Sequence, residues 1–203
     1  NAGSISPDRT ICENDDPPPF SSIPASGDGS ISYQWQSGTD GITFVNITGA
    51  TAEIFDPGVM ASDRWYRRIA ISTLNGVSCQ AISNVVKITV INIVTAGTIA
   101  ANQMLCPGEV PVAFTSTAPA SGDGTITYQW QSSLTGSGAG FTDISGATGS
   151  TYSPPAPPVN TWYRRMAFFT INGVTCSRPS GELYIYIVSF SPGTITPFNN
   201  DTI

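Results

Sequence analysis

The sequence has no histidine and a single lysine, Lys87, and only 11% of its residues are charged, against roughly 25% in an ordinary soluble domain. Without histidine, and with no lysine beside a candidate nucleophile, neither a Ser–His–Asp nor a Ser–Lys catalytic arrangement can be assembled from this chain. The net charge of −6 leaves no basic patch to neutralise phosphates, so nucleic acid is not expected as a partner. No apolar run approaches the roughly 18 residues of a membrane-spanning helix, and no signal peptide is visible; membrane insertion is not expected. Ser, Thr, Gly, Pro and Asn fill the polar positions instead, the composition of an extracellular β-protein.

The sequence repeats itself. SGDGSISYQWQS at Ser26–Ser37 returns as SGDGTITYQWQS at Ser121–Ser132, WYRR at Trp65–Arg68 returns at Trp162–Arg165, and NGVSC at Asn75–Cys79 returns as NGVTC at Asn172–Cys176. The unit is about 96 residues long, which makes it a domain rather than a solenoid turn. The expected division is a first repeat over 1–94, a second over 95–190, and a linker with the start of a third copy over 191–203. Pro192-Gly193-Thr194-Ile195 matches Ala2-Gly3-Ser4-Ile5 and Ala96-Gly97-Thr98-Ile99, so the chain reads as a monomeric fragment of a longer array.

Four cysteines fall two per repeat at matching places. One disulfide per domain is the economical reading, Cys12 with Cys79 and Cys106 with Cys176. Each would close a loop of nearly 70 residues, worth about 4 kcal/mol in the chain-entropy model, outside the reducing cytosol. A zinc site is the competing reading, disfavoured by the lack of histidine and of any CxxC pair.

Ile31, Tyr33 and Trp35 alternate with polar residues, as do Ile126, Tyr128 and Trp130, the period of a half-buried strand. Trp65 to Ser72 is the next strand, Asn75-Gly76 is a type I′ hairpin signal, and Val85 to Val94 is the last strand. Trp65 and Arg67 share one face of their strand, Tyr66 and Arg68 the other. Short strands with turn signals every eight to twelve residues predict an all-β chain of two tandem immunoglobulin-like β-sandwich domains. The joint near Val94 has no flexible Gly/Ser stretch, so an end-to-end rod is expected, each domain adding roughly 35–45 Å.

YQWQS, F-x-x-I-x-G-A-T, WYRR, NGV-[ST]-C and SNVVKITV together resemble the Ig-like repeats of very large surface proteins of Bacteroidetes bacteria, including gliding-motility and adhesin-type proteins exported by the type IX system. The resemblance covers both repeats and the stub of the third. It implies an extracellular, cell-surface stalk that projects a distal binding site, with neighbouring repeats of the same chain as partners. The second copy departs from the first at Ser153–Pro158 and at Ser180–Ile185, in edges and loops.

The chemistry to be tested against the fold is limited. Asp28 and Asp123 are repeated acids, but both sit in Gly-Asp-Gly turns that favour Asp for backbone reasons, so no enzyme is expected. Asp8, Glu13, Asp15 and Asp16 cluster around Cys12 and are calcium candidates; the second copy offers only Asn102 and Glu109 there, so no resident cofactor is expected. Trp65, Arg68, Trp162 and Arg165 are candidate ligand contacts, because Trp and Arg anchor interfaces; the competing reading makes them framework. A glycan- or surface-binding module is the alternative to a stalk, and it requires an exposed aromatic platform, for instance an uncovered Tyr33, Trp65 or Tyr152. Asn46-Ile47-Thr48 and Asp201-Thr202-Ile203 are short glycosylation patterns.

Overall fold

Alternation along two long strands decides the architecture. In the computed structural model, which describes residues 1–189, the first repeat forms β1 (Ser4–Ile5), β2 (Arg9–Cys12), β3 (Ser22–Ile23), β4 (Ser30–Gly38), β5 (Val45–Asn46), β6 (Arg64–Leu74), β7 (Val77–Ile82) and β8 (Val86–Ile91). The second forms β9 (Ile93–Thr95), β10 (Thr98–Ala100), β11 (Gln103–Leu105), β12 (Thr115–Ala118), β13 (Ser121–Gly122), β14 (Thr125–Ser133), β15 (Thr142–Asp143), β16 (Thr161–Ile171) and β17 (Val174–Ile187). No helix occurs among the described residues. The expected third copy over 191–203 lies outside them.

In the first repeat the main sheet runs β2-β8-β6-β4-β5, with β7 also paired to β6. β2 is parallel to β8 and the other pairings are antiparallel. The opposing layer is thin: the β1–β3 pair and an irregular segment held where Phe20 N–H donates to Phe55 O (2.9 Å). The second repeat copies this with the order β11-β17-β16-β14-β15, β11 parallel to β17, and a β10–β12 pair. Both hairpin tips have the two positive-φ residues of a type I′ turn: Asn75 (51°) and Gly76 (81°), Asn172 (50°) and Gly173 (79°).

The strand expected over Val85 to Val94 is set off from β7 at its start and broken once, at Asn92. Asn84 turns its amide onto Ile5, accepting from Ile5 N (2.8 Å) and donating to Ile5 O (3.1 Å), which separates β7 from β8. In the second repeat Gly181 stands at that place and β17 runs through without a break. At the far end Asn92 interrupts the ladder, and β9 leaves to pair with β13.

The chain forms two compact units that are not simply the two repeats. The first comprises Asn1–Ala96 with Ala120–Thr127 and Ala167–Arg178; the second comprises Gly97–Pro119, Tyr128–Met166 and the chain from Pro179 onward. The hairpin tip of the second repeat thus belongs structurally with the first.

Each core is built on a stacked aromatic pair. Phe20 lies on Trp35 at 5.4 Å and 16°, and Phe114 on Trp130 at 5.5 Å and 26°. Tyr66 and Tyr163 complete the clusters, tilted against the phenylalanines. A buried tryptophan on a long strand beside the sheet's central one, facing a thin second layer, is the immunoglobulin-like plan. Where antibody domains set a disulfide beside that tryptophan, these repeats set a phenylalanine. The indole N–H groups are satisfied by Ala52 O (2.9 Å) and Gly149 O (3.0 Å).

Beside each tryptophan lies a fully buried arginine, Arg68 or Arg165. The Arg68 guanidinium stacks on Tyr33 at 4.3 Å and donates to Ser22 Oγ (2.6 Å), Glu53 O (2.8 Å), Ile23 O (3.1 Å) and Ala2 O (3.3 Å). Arg165 stacks on Tyr128 at 4.3 Å and donates to Ser150 O (2.6 Å). Burial pushes both guanidinium groups below their ordinary value, opposed by Tyr33 and Glu53 at Arg68 and by Tyr128 at Arg165. The outward arginines do lighter work: Arg67 covers Phe44 (4.3 Å) and donates to Gln36 Oε1 (2.7 Å), and Arg164 does the same with Phe141 (4.2 Å) and Gln131 Oε1 (2.7 Å). YQWQ and WYRR recur together because each arginine is seated on the other motif's strand.

A lysine cannot reproduce a planar fork that reaches several carbonyls. Arg68→Lys is therefore expected to lower unfolding stability by about 2–3 kcal/mol, and Arg67→Lys by less than about 1 kcal/mol. Urea denaturation of the two variants checks the order; equal losses would refute the bracing role of Arg68.

Candidate functional site

The candidate ligand contacts are mostly framework. Arg68 and Arg165 are inaccessible. Trp65 is half-buried beneath Lys87, whose Nζ sits 4.7 Å from the ring centroid and 2.6 Å from Asp63 Oδ2. Tyr33 is covered by Arg68, and Tyr152 is half-buried in the core with Trp130. Trp162 differs, because Tyr184 replaces the lysine. The Trp162 and Tyr184 rings lie 4.3 Å apart, Tyr184 and Tyr186 follow at 6.3 Å, and Tyr186 is 40% exposed. This three-ring row occurs in the second repeat only.

The acids around Cys12 do not gather. Asp8 Oδ1 accepts from Lys87 N (2.8 Å), Asp15 Oδ2 from Cys12 N (3.2 Å), Glu13 lies 3.9 Å from Arg178, and Asp16 is exposed. Two of these roles recur with other residues in the second repeat, where Asn102 accepts from Tyr184 N (2.8 Å) and Glu109 from Cys106 N (2.7 Å). They are turn and edge acceptors. Among the described residues no three His, Cys, Asp or Glu side chains converge to hold a metal ion. Asn46, of the first glycosylation pattern, is exposed on β5 and accepts from Gln36 Nε2 (2.8 Å); the second pattern lies outside the described residues.

The cysteines correct the expected pairing. Neither Cys12–Cys79 nor Cys106–Cys176 forms; the disulfide is Cys12–Cys176, with Cα atoms 5.7 Å apart, and Cys79 and Cys106 are free and exposed. The strand register explains why. Cys12 is level with Ile91 at the end of β8, whereas Cys79 faces Ser72 near the hairpin tip. At about 3.3 Å per residue these places are roughly 35 Å apart along the sheet, far beyond the Cα separation of about 7 Å that a disulfide tolerates. Cys106 follows β11, which pairs at Ile187, and Cys176 lies near the other end of that same strand. Each repeat carries its two thiols at opposite poles.

Both members of the observed bond lie in the first compact unit. There the second repeat's hairpin and Gly-Asp-Gly turn form a seat around Cys176. Asp123 Oδ2 accepts from Asn92 N (3.0 Å) and Nδ2 (2.8 Å), and Asp123 N donates to Asn92 O (2.9 Å). Asn172 Nδ2 donates to Thr10 Oγ1 (3.1 Å), and Arg178 to Ile93 O (2.7 Å). Gly122 must be glycine here, since a Cβ would stand 2.5 Å from Asn92 O and 2.8 Å from the Phe169 ring. Phe169 and Cys176 are buried in this seat. The Gly-Asp-Gly pattern by itself marks Gly122 and Asp123 as turn residues; their recurrence as Gly27 and Asp28 is the signal in the sequence for a further role.

No curated protein matches the sequence. Among solved structures, the insect immune protein hemolin is similar at 14% identity and a TM-score of 0.46, covering 96% of this chain and 53% of its own. A group of titin domains follows at 16% and 0.48, covering 90% and 65%, and Drosophila OTK extracellular domains 3–5 at 14% and 0.46, covering 92% and 62%. The chain spans between 53% and 65% of the length of these structures. A family model matches twice, over residues 1–92 and 95–188, and the chain therefore belongs to the family described as "Domain of unknown function (DUF8696)".

Proposed function

We propose that the chain is a stretch of an extracellular stalk, a tandem array that carries tension and projects a distal binding site from a bacterial cell surface, of the kind found in gliding-motility and adhesin-type proteins of Bacteroidetes. The observation that carries this reading is the Cys12–Cys176 bond, which ties one repeat to the next in sequence at a separation of 164 residues. In the chain-entropy model a loop of this length is worth about 5 kcal/mol, and it routes tension around both cores. The hydroxyl-rich surface, the scarcity of charge and the absence of histidine suit a structural, non-enzymatic part.

The force response tests it. Pulled from its two ends, the oxidised chain is expected to keep the bridged segment out of the extension. Reduction should add a segment of 164 residues, roughly 55 nm when extended. Equal contour lengths before and after reduction would remove the covalent bypass and this reading with it.

The same reading includes no resident calcium, because Asp8, Asp15 and Glu13 each serve a separate partner and no three of the candidate acids converge. The melting temperature is expected to be unchanged by EDTA or by millimolar calcium; a rise with calcium would return those acids to a metal site.

The Trp162–Tyr184–Tyr186 row favours a second reading, a glycan-contacting surface on the second repeat. If it operates, Tyr184→Ala abolishes signals on a glycan array while leaving the melting temperature within a few degrees. An array with no signal for the parent chain eliminates it.

A further inference from the structure

The two repeats present one surface in two states. In the second repeat, Gly122, Asp123, Ala167, Phe169, Ile171 and Cys176 lie in the seat described above, with Cys176 only 4% exposed and bonded to Cys12. The matching positions of the first repeat are Gly27, Asp28, Ala70, Ser72, Leu74 and Cys79, and they line an open groove of about 430 Å³. Leu74 is 50% exposed and Val77 69%. Cys79 is a free, exposed thiol within that groove. A Cβ on Gly27 would meet the side chains of Ser72 and Ile31, with no carbonyl above it.

The complementary pole also has an uncovered version. Cys12 is half-buried beside Thr10. Its counterpart Cys106 is free and exposed, beside Met104 at 71% exposure. The turn that shapes the two thiol positions is the same, an acid three residues on accepting from the cysteine N–H.

We propose that the groove around Cys79 is a docking site for another copy of this repeat, and that Cys79 and Cys106 are the two halves of the joint that Cys12 and Cys176 already form. The incoming copy presents its Cys106-type pole. The backbone N–H groups beside that pole reach Asp28, as Asn92 reaches Asp123. The Glu13–Arg178 ion pair is not part of the shared joint, since Pro107 and Ala81 stand at those places. The bond forms by thiol–disulfide exchange with a small disulfide oxidant such as oxidised glutathione. One cysteine thiolate displaces a glutathione thiolate to give a mixed disulfide, and the second cysteine displaces the other. Two protein thiols and one oxidised glutathione become one protein disulfide and two reduced glutathione molecules.

This inference goes beyond the stalk reading, because the joint forms whether or not the array carries tension. Its test uses the whole chain as two variants, Cys106→Ser, which keeps Cys79, and Cys79→Ser, which keeps Cys106. Mixed at high concentration in a glutathione redox buffer that keeps Cys12–Cys176 closed, they are expected to give a Cys79–Cys106 heterodimer in about tenfold excess over either homodimer, identified by mass spectrometry of the linked peptides. Val77→Asp added to the Cys79-bearing chain should cut that yield about tenfold without moving the melting temperature. Homodimers in statistical proportion, no intermolecular disulfide at all, or a heterodimer indifferent to Val77→Asp would each overturn the proposal. The force measurement on Cys12–Cys176 is independent of all three outcomes.

Discussion

A buried guanidinium in each repeat holds the sandwich closed. The main sheet satisfies its own backbone groups, but the layer above it has only a two-stranded pair of regular structure, and the rest would bury carbonyl oxygens without donors. Arg68 supplies those donors to Ala2, Ile23 and Glu53 from one rigid fork, and Tyr33 offers its face in place of a counter-ion. The chain can therefore spend few residues on regular strands in its second layer. The same device at Arg165 explains why WYRR tolerates so little change between copies while neighbouring loops vary.

Much of this was legible in the sequence, for identifiable reasons. A period of two does not depend on the partner strand, so the faces of Trp35 and of the WYRR strand could be read directly, as could the type I′ turns. Register along the sheet is different. That Cys12 and Cys79 stand at opposite poles depends on β2 running parallel to the last strand and meeting it at Ile91, which no local pattern encodes. The acidic cluster misled for a related reason. Proximity in sequence suggested a shared site, while a parallel edge strand sends Asp8 to the Lys87 backbone and Asp15 back onto its own turn.

Comparison of the copies separates what the fold requires from what varies around it. Asp63 and Asn160 both accept a backbone N–H from the last strand, at 2.8 and 2.7 Å, and Asp8 and Asn102 form a second such pair. At these places an acceptor oxygen is needed and a charge is not. Lys87 and Tyr184 show the opposite freedom: both cover a tryptophan, but one yields a charged surface and the other an aromatic one.

The span of the Cys12–Cys176 bridge has a consequence for damage. Nearly the whole described chain lies between its ends, and many of the exposed turns where proteases cut lie inside that span. A single cleavage at any of them opens a closed ring into one still-connected molecule. Whatever is attached beyond the two repeats stays tethered, and only a second cut or reduction of the bridge sets it free.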